Sequence, residues 1–252
     1  MDDWLARTRI LLGDTGLERL AAAHVAVFGL GGVGSFCAEA LIRAGVGALT
    51  LVDDDRIDIT NLNRQLIALH STLGRRKATV MAERALDINP ACCVTPVHLF
   101  YSSQTADQLP LGGLSYIVDA VDTVSAKLLL AQNGRAAGVP VISAMGTGNK
   151  LDAASFRVAD LYSTDICPLA RIMRKELRRR GVDALKVVYS PEPPRTKGGE
   201  TAEQTASPSR PGRAADRPIP GSISFVPAAA GLMLAGAVIR DLAGISYESP
   251  IR

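Results

Sequence analysis

Along residues 24–146, short runs of aliphatic and β-branched residues alternate with longer stretches in which apolar positions recur every three or four residues. That alternation is the mark of successive strand–helix–strand units and a parallel sheet. His24 to Phe28, Ala48 to Val52, Val94 to Leu99, Tyr116 to Val118 and Val139 to Ala144 read as strands. Ser35 to Ala44, residues 74–88 with Val80, Met81, Ala85 and Leu86 at helical spacing, and Ser125 to Ala137 read as the intervening helices. Gly45 stands where a left-handed residue ends a helix, and Asn89 with Pro90 stops the next one. The expected fold is α/β, a Rossmann-like doubly wound sheet whose first half is parallel.

Beyond residue 146 the pattern changes. Ser155 to Val158 and Lys186 to Tyr189 look like short strands around a basic helix from Pro168 to Arg180, which predicts a mixed, antiparallel C-terminal extension. Leu169, Ile172, Met173 and Leu177 are the expected buried stripe of that helix. Pro191 to Pro220 is rich in Pro, Gly, Ser, Thr and charges and too poor in apolar groups to offset its ordering entropy, so it reads as a mobile loop. Phe225 to Leu242 returns to an apolar helix expected against the sheet or across a dimer interface. Its longest apolar run, about 15 residues, falls short of the roughly 20 that cross a membrane and contains Pro227, Gly231 and Gly236. The chain is therefore expected to be one unit over residues 1–252: an N-terminal arm or helix over 1–23, a nucleotide-binding core over 24–146, and a substrate and dimer half over 147–252.

Composition adds exclusions. With 252 residues and 47% hydrophobic content the chain can build a large core, and a net charge of +3 demands no polyanionic partner in bulk. No basic segment followed by an apolar one stands at the amino end, so a cytoplasmic location and reduced thiols are expected, with no membrane. Cys37, Cys92, Cys93 and Cys167 form no CxxC pair, and His24, His70 and His98 are scattered, so no zinc site is indicated. Cys167 precedes the basic helix and reads either as a nucleophile or, more simply, as a small apolar residue beside Pro168.

The candidate chemistry sits at the predicted strand ends. Gly29, Gly31, Gly32 and Gly34 lie in a GxGxxG turn between a strand and a helix, which lets backbone approach a phosphate. A tight turn needing glycine gives the same pattern. Asp53, at the end of the next strand, is placed to accept ribose hydroxyls. Asp54 and Asp55, then Asn61, Asn63, Arg64 and Gln65, then Lys77 gather carboxylate, amide, guanidinium and ammonium groups just downstream. A dehydrogenase using NAD has no use for that set, whereas cleavage between α and β phosphates needs cations on the departing pyrophosphate. Asp122, in Asp119-Ala120-Val121-Asp122-Thr123, can reach the same edge and hold magnesium, while Asp119 reads as structural.

Together, Arg9-Ile10-Leu11-Leu12-Gly13, the glycine turn, Leu51-Val52-Asp53-Asp54-Asp55, Asn61-Leu62-Asn63-Arg64-Gln65, Lys77 and Asp119-Ala120-Val121-Asp122 resemble the E1-like adenylating superfamily. The resemblance implies ATP and Mg2+ as cofactors, held by positions matching Asp53, Asn61, Arg64, Lys77 and Asp122. It also implies a homodimer in which Arg9 reaches the neighbouring subunit's triphosphate. Activators of ubiquitin-like sulfur carriers, one branch, commonly hold zinc with two CxxC pairs, which this chain lacks. Asp165 to Gly181, Val187 to Glu192 and Gly221 to Gly231 resemble instead the branch of tRNA threonylcarbamoyladenosine dehydratases. Its members adenylate the threonine carboxylate of the modified adenosine of tRNA and close it into a ring. That makes tRNA the expected partner and Arg171, Arg174, Lys175 and Arg178 the candidate phosphate contacts, since such contacts need charge and no base reading. The rival readings are an activator of a carrier ending in Gly-Gly, and a nucleotide-binding scaffold serving a sulfur relay with a cysteine desulfurase.

Overall fold

The structure is a computed structural model describing residues 3–195 and 220–245. Seven strands form one sheet in the order β3-β2-β1-β4-β5-β7-β6. β1 (His24–Phe28), β2 (Ala48–Val52), β3 (Cys93–Val97), β4 (Tyr116–Asp119), β5 (Val141–Ala144) and β7 (Lys186–Tyr189) run parallel, and β6 (Arg157–Asp160) is antiparallel to β7. The doubly wound reading and its antiparallel extension both hold. β1 and β4 are adjacent while their connections leave to opposite sides, so the sheet reverses its strand order between them and opens a crevice at their carboxyl ends.

Period-two alternation distributes β1 between two cores. Val25 and Val27 join the side built from α2 (Gly34–Arg43), α3 (Lys77–Ile88) and α6 (Phe225–Ala243); Ala26 and Phe28 join the side covered by α4 (Val124–Ala136). α5 (Pro168–Arg179) completes the second side around Met145, Val187 and Tyr189. α1 (Ala6–Ala22) is broken at Gly13, whose φ of 68° and ψ of 175° are not helical. β3 forms one margin of the sheet and carries Pro96, tolerated there because a proline supplies no ladder N–H.

Several boundaries differ from expectation. The first predicted strand of the C-terminal half begins at Arg157 rather than Ser155, and β5 begins at Val141, because Val139 and Pro140 serve the preceding turn. In α5, Ile172 is 42% exposed and Ala170 is buried in its place with Met173 and Leu177, the i, i+3, i+7 set that a helix turns to one side. Pro191 to Arg195, assigned to a mobile loop, is anchored: the Glu192 carboxylate accepts N–H bonds from Leu151 and Asp152, and Arg195 N–H donates to the Asn149 carbonyl. Residues 196–219 of that loop lie outside the described residues. α6 runs over 19 residues, long and apolar enough by composition to span a membrane, yet Val226, Ala230, Leu234 and Val238 are fully buried in the main core.

Candidate active site

The crevice between β1 and β4 opens as a cleft at the carboxyl edge of the sheet. Its rim is formed by Gly29 and Gly31, by Asp53, Asp54 and Asp55 after β2, by Lys77 at the start of α3, and by Ala120 to Thr123 after β4.

The glycines divide their work. A Cβ on Gly34 would stand 1.7 Å from the Gly29 carbonyl oxygen, and one on Gly29, at φ 84°, would stand 2.7 Å from the Ala120 oxygen. These two close the turn. A Cβ on Gly32 would meet the Arg64 carbonyl and Pro227 at 3.2 Å, so Gly32 admits the 61–65 segment and α6. Gly31 differs, because its nearest neighbour would be Gln65 Nε2 at 3.7 Å and no internal contact requires its smallness. Its missing side chain keeps the cleft face of the turn bare, next to the amino end of α2, which has no side-chain cap.

Asp53 is 8% exposed, and its two oxygens accept N–H bonds from Leu30 at 2.6 Å and Asp55 at 2.8 Å. It therefore first holds the glycine turn against the end of β2; each oxygen keeps a second lone pair for a ligand hydroxyl. Lys77 Nζ donates to Asp55 at 2.7 Å, and Lys77 is 4% exposed. Carboxylate oxygens of Asp53, Asp54 and Asp55 lie within 4.8 Å of one another, so this end of the cleft is acidic and Lys77 offsets it. Asp122 is exposed on the opposite lip and accepts from its neighbour Thr123 Oγ1 at 3.3 Å.

Asn61, Arg64 and Gln65 lie behind the glycine turn rather than on the cleft's rim. Asn61 Oδ1 accepts from Asp58 N–H at 3.1 Å and closes a local cap. Arg64 donates to the Thr60 carbonyl at 2.9 Å and the Asn63 amide oxygen at 2.8 Å, both neutral, and burial pushes its guanidinium pKa down. Gln65 is 7% exposed and its Oε1 is buried with no hydrogen-bond partner among the described residues. An orphaned acceptor of this kind costs about 1–3 kcal/mol and lacks a donor, so it is no contact for a phosphate oxygen.

Arg9 does not reach this cleft. It lies exposed on α1 and pairs with Asp3 at 3.0 Å and with Asp14, while Ile10 and Leu11 beside it are 83% and 80% exposed. The basic helix α5 starts near the same sheet edge, where Leu169 Cβ stands 3.9 Å from the position of a Cβ on Gly146. Arg171 and Lys175 are exposed, whereas Arg174 donates to the Thr164 carbonyl at 2.8 Å and Arg178 stacks on the Tyr162 ring at 5.3 Å. Those two cations are committed to structure as well as charge. Cys167 is 1% exposed within the α5 core, as its packing reading expects.

Sequence reasoning missed the wall of the cleft formed by Leu99, Phe100 and Tyr101. Tyr101 meets Phe28 edge-to-face at 5.1 Å and accepts from Asn133 Nδ2 at 2.9 Å. The run of three large apolar residues just after a strand was its only signal.

The profile of the ThiF family matches residues 5–251. A protein of Bacillus subtilis (strain 168) called tRNA threonylcarbamoyladenosine dehydratase is 42% identical over 238 residues, covering 94% of this chain and 93% of that protein. Its namesake from Escherichia coli (strain K12) is 42% identical over 180 residues, covering 70% of this chain and 67% of the other. Among solved structures, the E. coli tRNA N6-threonylcarbamoyladenosine dehydratase in complex with ATP superposes with a TM-score of 0.82 at 34% identity, over 97% of this chain and 96% of that one.

Proposed function

This chain belongs to the ThiF family, and we propose that within it the protein is an ATP-dependent tRNA threonylcarbamoyladenosine dehydratase. The observation that carries the reading is a cleft rimmed by a bare glycine turn, Asp53, Lys77 and Asp122, with the neutral-partnered Arg64 packed directly behind that turn.

A carboxylate is a poor electrophile at neutral pH. In the proposed reaction its oxygen attacks the α phosphorus of ATP, the bond to the bridging oxygen breaks, and pyrophosphate leaves. An atom of the same threonylcarbamoyl group then attacks the activated carbonyl and expels AMP, which carries away the original carboxylate oxygen. Water is thus lost overall without ever being released. The protein's task is to position, neutralise charge and exclude solvent. The open amides at the start of α2 and the bare face of Gly31 receive phosphate oxygens; Asp53 accepts from ribose hydroxyls with its remaining lone pairs. Lys77 stabilises charge as pyrophosphate departs, and Arg64, whose hydrogen bonds go to neutral oxygens behind the turn, is the second cation beside it. Asp122 would hold Mg2+, which when bound shields the triphosphate's negative charge.

An exposed Arg9 flanked by exposed Ile10 and Leu11, away from its own cleft, supports a homodimer in which it serves the partner's site. Arg171 and Lys175 are the first candidates for tRNA phosphate contacts, with Arg174 and Arg178 behind them. A cytoplasmic location follows from a tRNA substrate, and a sulfur-relay partner is a secondary expectation. The test is mass spectrometry of nucleosides from threonylcarbamoylated tRNA incubated with protein and ATP: a product lighter by one water, with AMP, is expected. AMP formation on a carrier protein ending in Gly-Gly, and none on tRNA, would favour the rival.

A further inference from the structure

We infer that a buried ion pair beneath the cleft, Asp119 with Lys127, positions the loop that presents Asp122; this deepens the adenylating reading and rests on it. Asp119 ends β4 and Lys127 is the fourth residue of α4; each is 1% exposed. Lys127 Nζ donates to both Asp119 oxygens, at 3.0 and 3.1 Å, and to Ser143 Oγ on β5 at 3.3 Å. The Ser143 hydroxyl donates in turn to Asp119 Oδ2 at 2.5 Å. An ammonium has three hydrogens, so the network is saturated.

A saturated buried ion pair contributes little stability that a well-packed apolar pair would not, so folding alone is a weak reason for it. What it does hold is backbone. Asp119 Oδ1 accepts the Val121 N–H at 3.2 Å, one residue before Asp122. On the other side, Ala120 N–H donates to the Phe28 carbonyl at 2.8 Å, and the Ala120 carbonyl fills the space that Gly29 leaves by lacking a Cβ. The segment from Ala120 to Thr123 lines the cleft, while Asp119 and Lys127 do not. The pair therefore acts through the loop: they are positioning residues, and the turn at Gly29 and the Asp122 lip are set relative to each other by one buried carboxylate.

The test uses full-length protein with two double substitutions, because breaking one partner alone strands a buried charge and threatens folding. Asp119→Leu with Lys127→Met removes charge and acceptor together. Asp119→Asn with Lys127→Met removes charge but keeps an oxygen for the Val121 N–H. The Asn/Met protein is expected to melt near the wild-type temperature, and the Leu/Met protein, which leaves the Val121 N–H and the Ser143 hydroxyl without Asp119, about 5 °C lower while still folded. The first should exchange the Val121 amide about tenfold faster in nucleotide-free protein and raise KM for ATP about tenfold with the KM for tRNA unmoved, while the second, which keeps the acceptor but loses the ammonium that fixes it, should change exchange and KM for ATP about threefold in the same direction. An unchanged KM for ATP in the Leu/Met protein overturns the inference, as does a raised KM without faster exchange. If the wild type forms no AMP on any tRNA, the functional reading fails instead, and the exchange comparison alone decides whether the pair holds the loop.

Discussion

The Asp53 carboxylate accepts the backbone N–H of Leu30 at 2.6 Å across 23 residues of sequence. One acidic side chain thus ties the glycine turn after β1 to the end of β2, and shapes the phosphate cradle before any ligand arrives. Asp53→Ala leaves a buried amide without a partner, and we expect a stability loss of about 1–3 kcal/mol together with loss of ATP binding. Asp53→Asn, which keeps an acceptor for the Leu30 N–H but turns a donor toward that of Asp55, should recover part of the stability and little of the affinity. Thermal melts and calorimetric titration separate the two effects; equal melts for Ala and Asn would remove the bond to Leu30 from the account.

The glycines give a second comparison. Gly34→Ala forces a Cβ to 1.7 Å from the Gly29 carbonyl and should cost about 2–4 kcal/mol. Gly31→Ala meets nothing closer than 3.7 Å inside the protein, so its fold should change by less than about 0.5 kcal/mol. Its ATP affinity should nevertheless fall about tenfold, because the methyl enters the bare face of the cradle. Unaltered ATP binding by Gly31→Ala would show that phosphates do not lie there.

Lys77 is nearly buried and its ammonium meets Asp55. Lys77→Ala should lower the rate of AMP formation about a hundredfold to a thousandfold, the range for removing one preorganised charge from a transition state. Single-turnover quenched-flow measurements would read this; undiminished cyclisation would take Lys77 out of the chemistry.

On α5, reversing Arg171 and Lys175 to Glu should weaken tRNA binding about tenfold, flatten its salt dependence and leave ATP affinity alone. Filter binding across a salt series measures all three. Arg174→Glu is a poorer probe, since it would also unseat the Thr164 carbonyl and lower the melting temperature.

Stability should respond to acid through Glu39. Burial alone pushes this carboxyl up, but hydrogen bonds and charge from Arg84 on α3 and Arg43 on α2 outweigh burial and hold its pKa below the ordinary carboxylate value. The folded pKa lies beneath the unfolded one, so the contribution is complete above the unfolded value of about 4.3 and disappears as pH falls through the folded value. Glu39→Gln should be less stable at neutral pH, with the gap closing in that acid window; parallel melting curves at every pH would contradict it.

The sequence made β1, β2 and β7 legible to the residue, because β-branched runs bounded by glycine, aspartate or serine leave little choice of register. It also brought Gly29, Gly31, Asp53, Lys77 and Asp122 to one sheet edge, since strand ends of a parallel sheet share that edge. What it hid were pairings across elements. Nothing local marks Lys127, within an Ala- and Leu-rich helix, as the partner of Asp119, or Arg174 as the donor to Thr164. The resemblance places Arg9 at the neighbouring subunit's triphosphate, and nothing local shows that within its own chain it pairs with Asp3 and Asp14. Ile172 shows the same limit: an apolar residue on an amphipathic helix is assigned inward by pattern, and only the packing of neighbours decides.

The proline in β3 reaches beyond its own strand. A sheet margin invites a further chain to dock by main-chain bonding, and Pro96 puts a residue without a donor in that outermost strand. Lateral recruitment along this margin is discouraged, a safeguard against fibre growth written into a single imino acid.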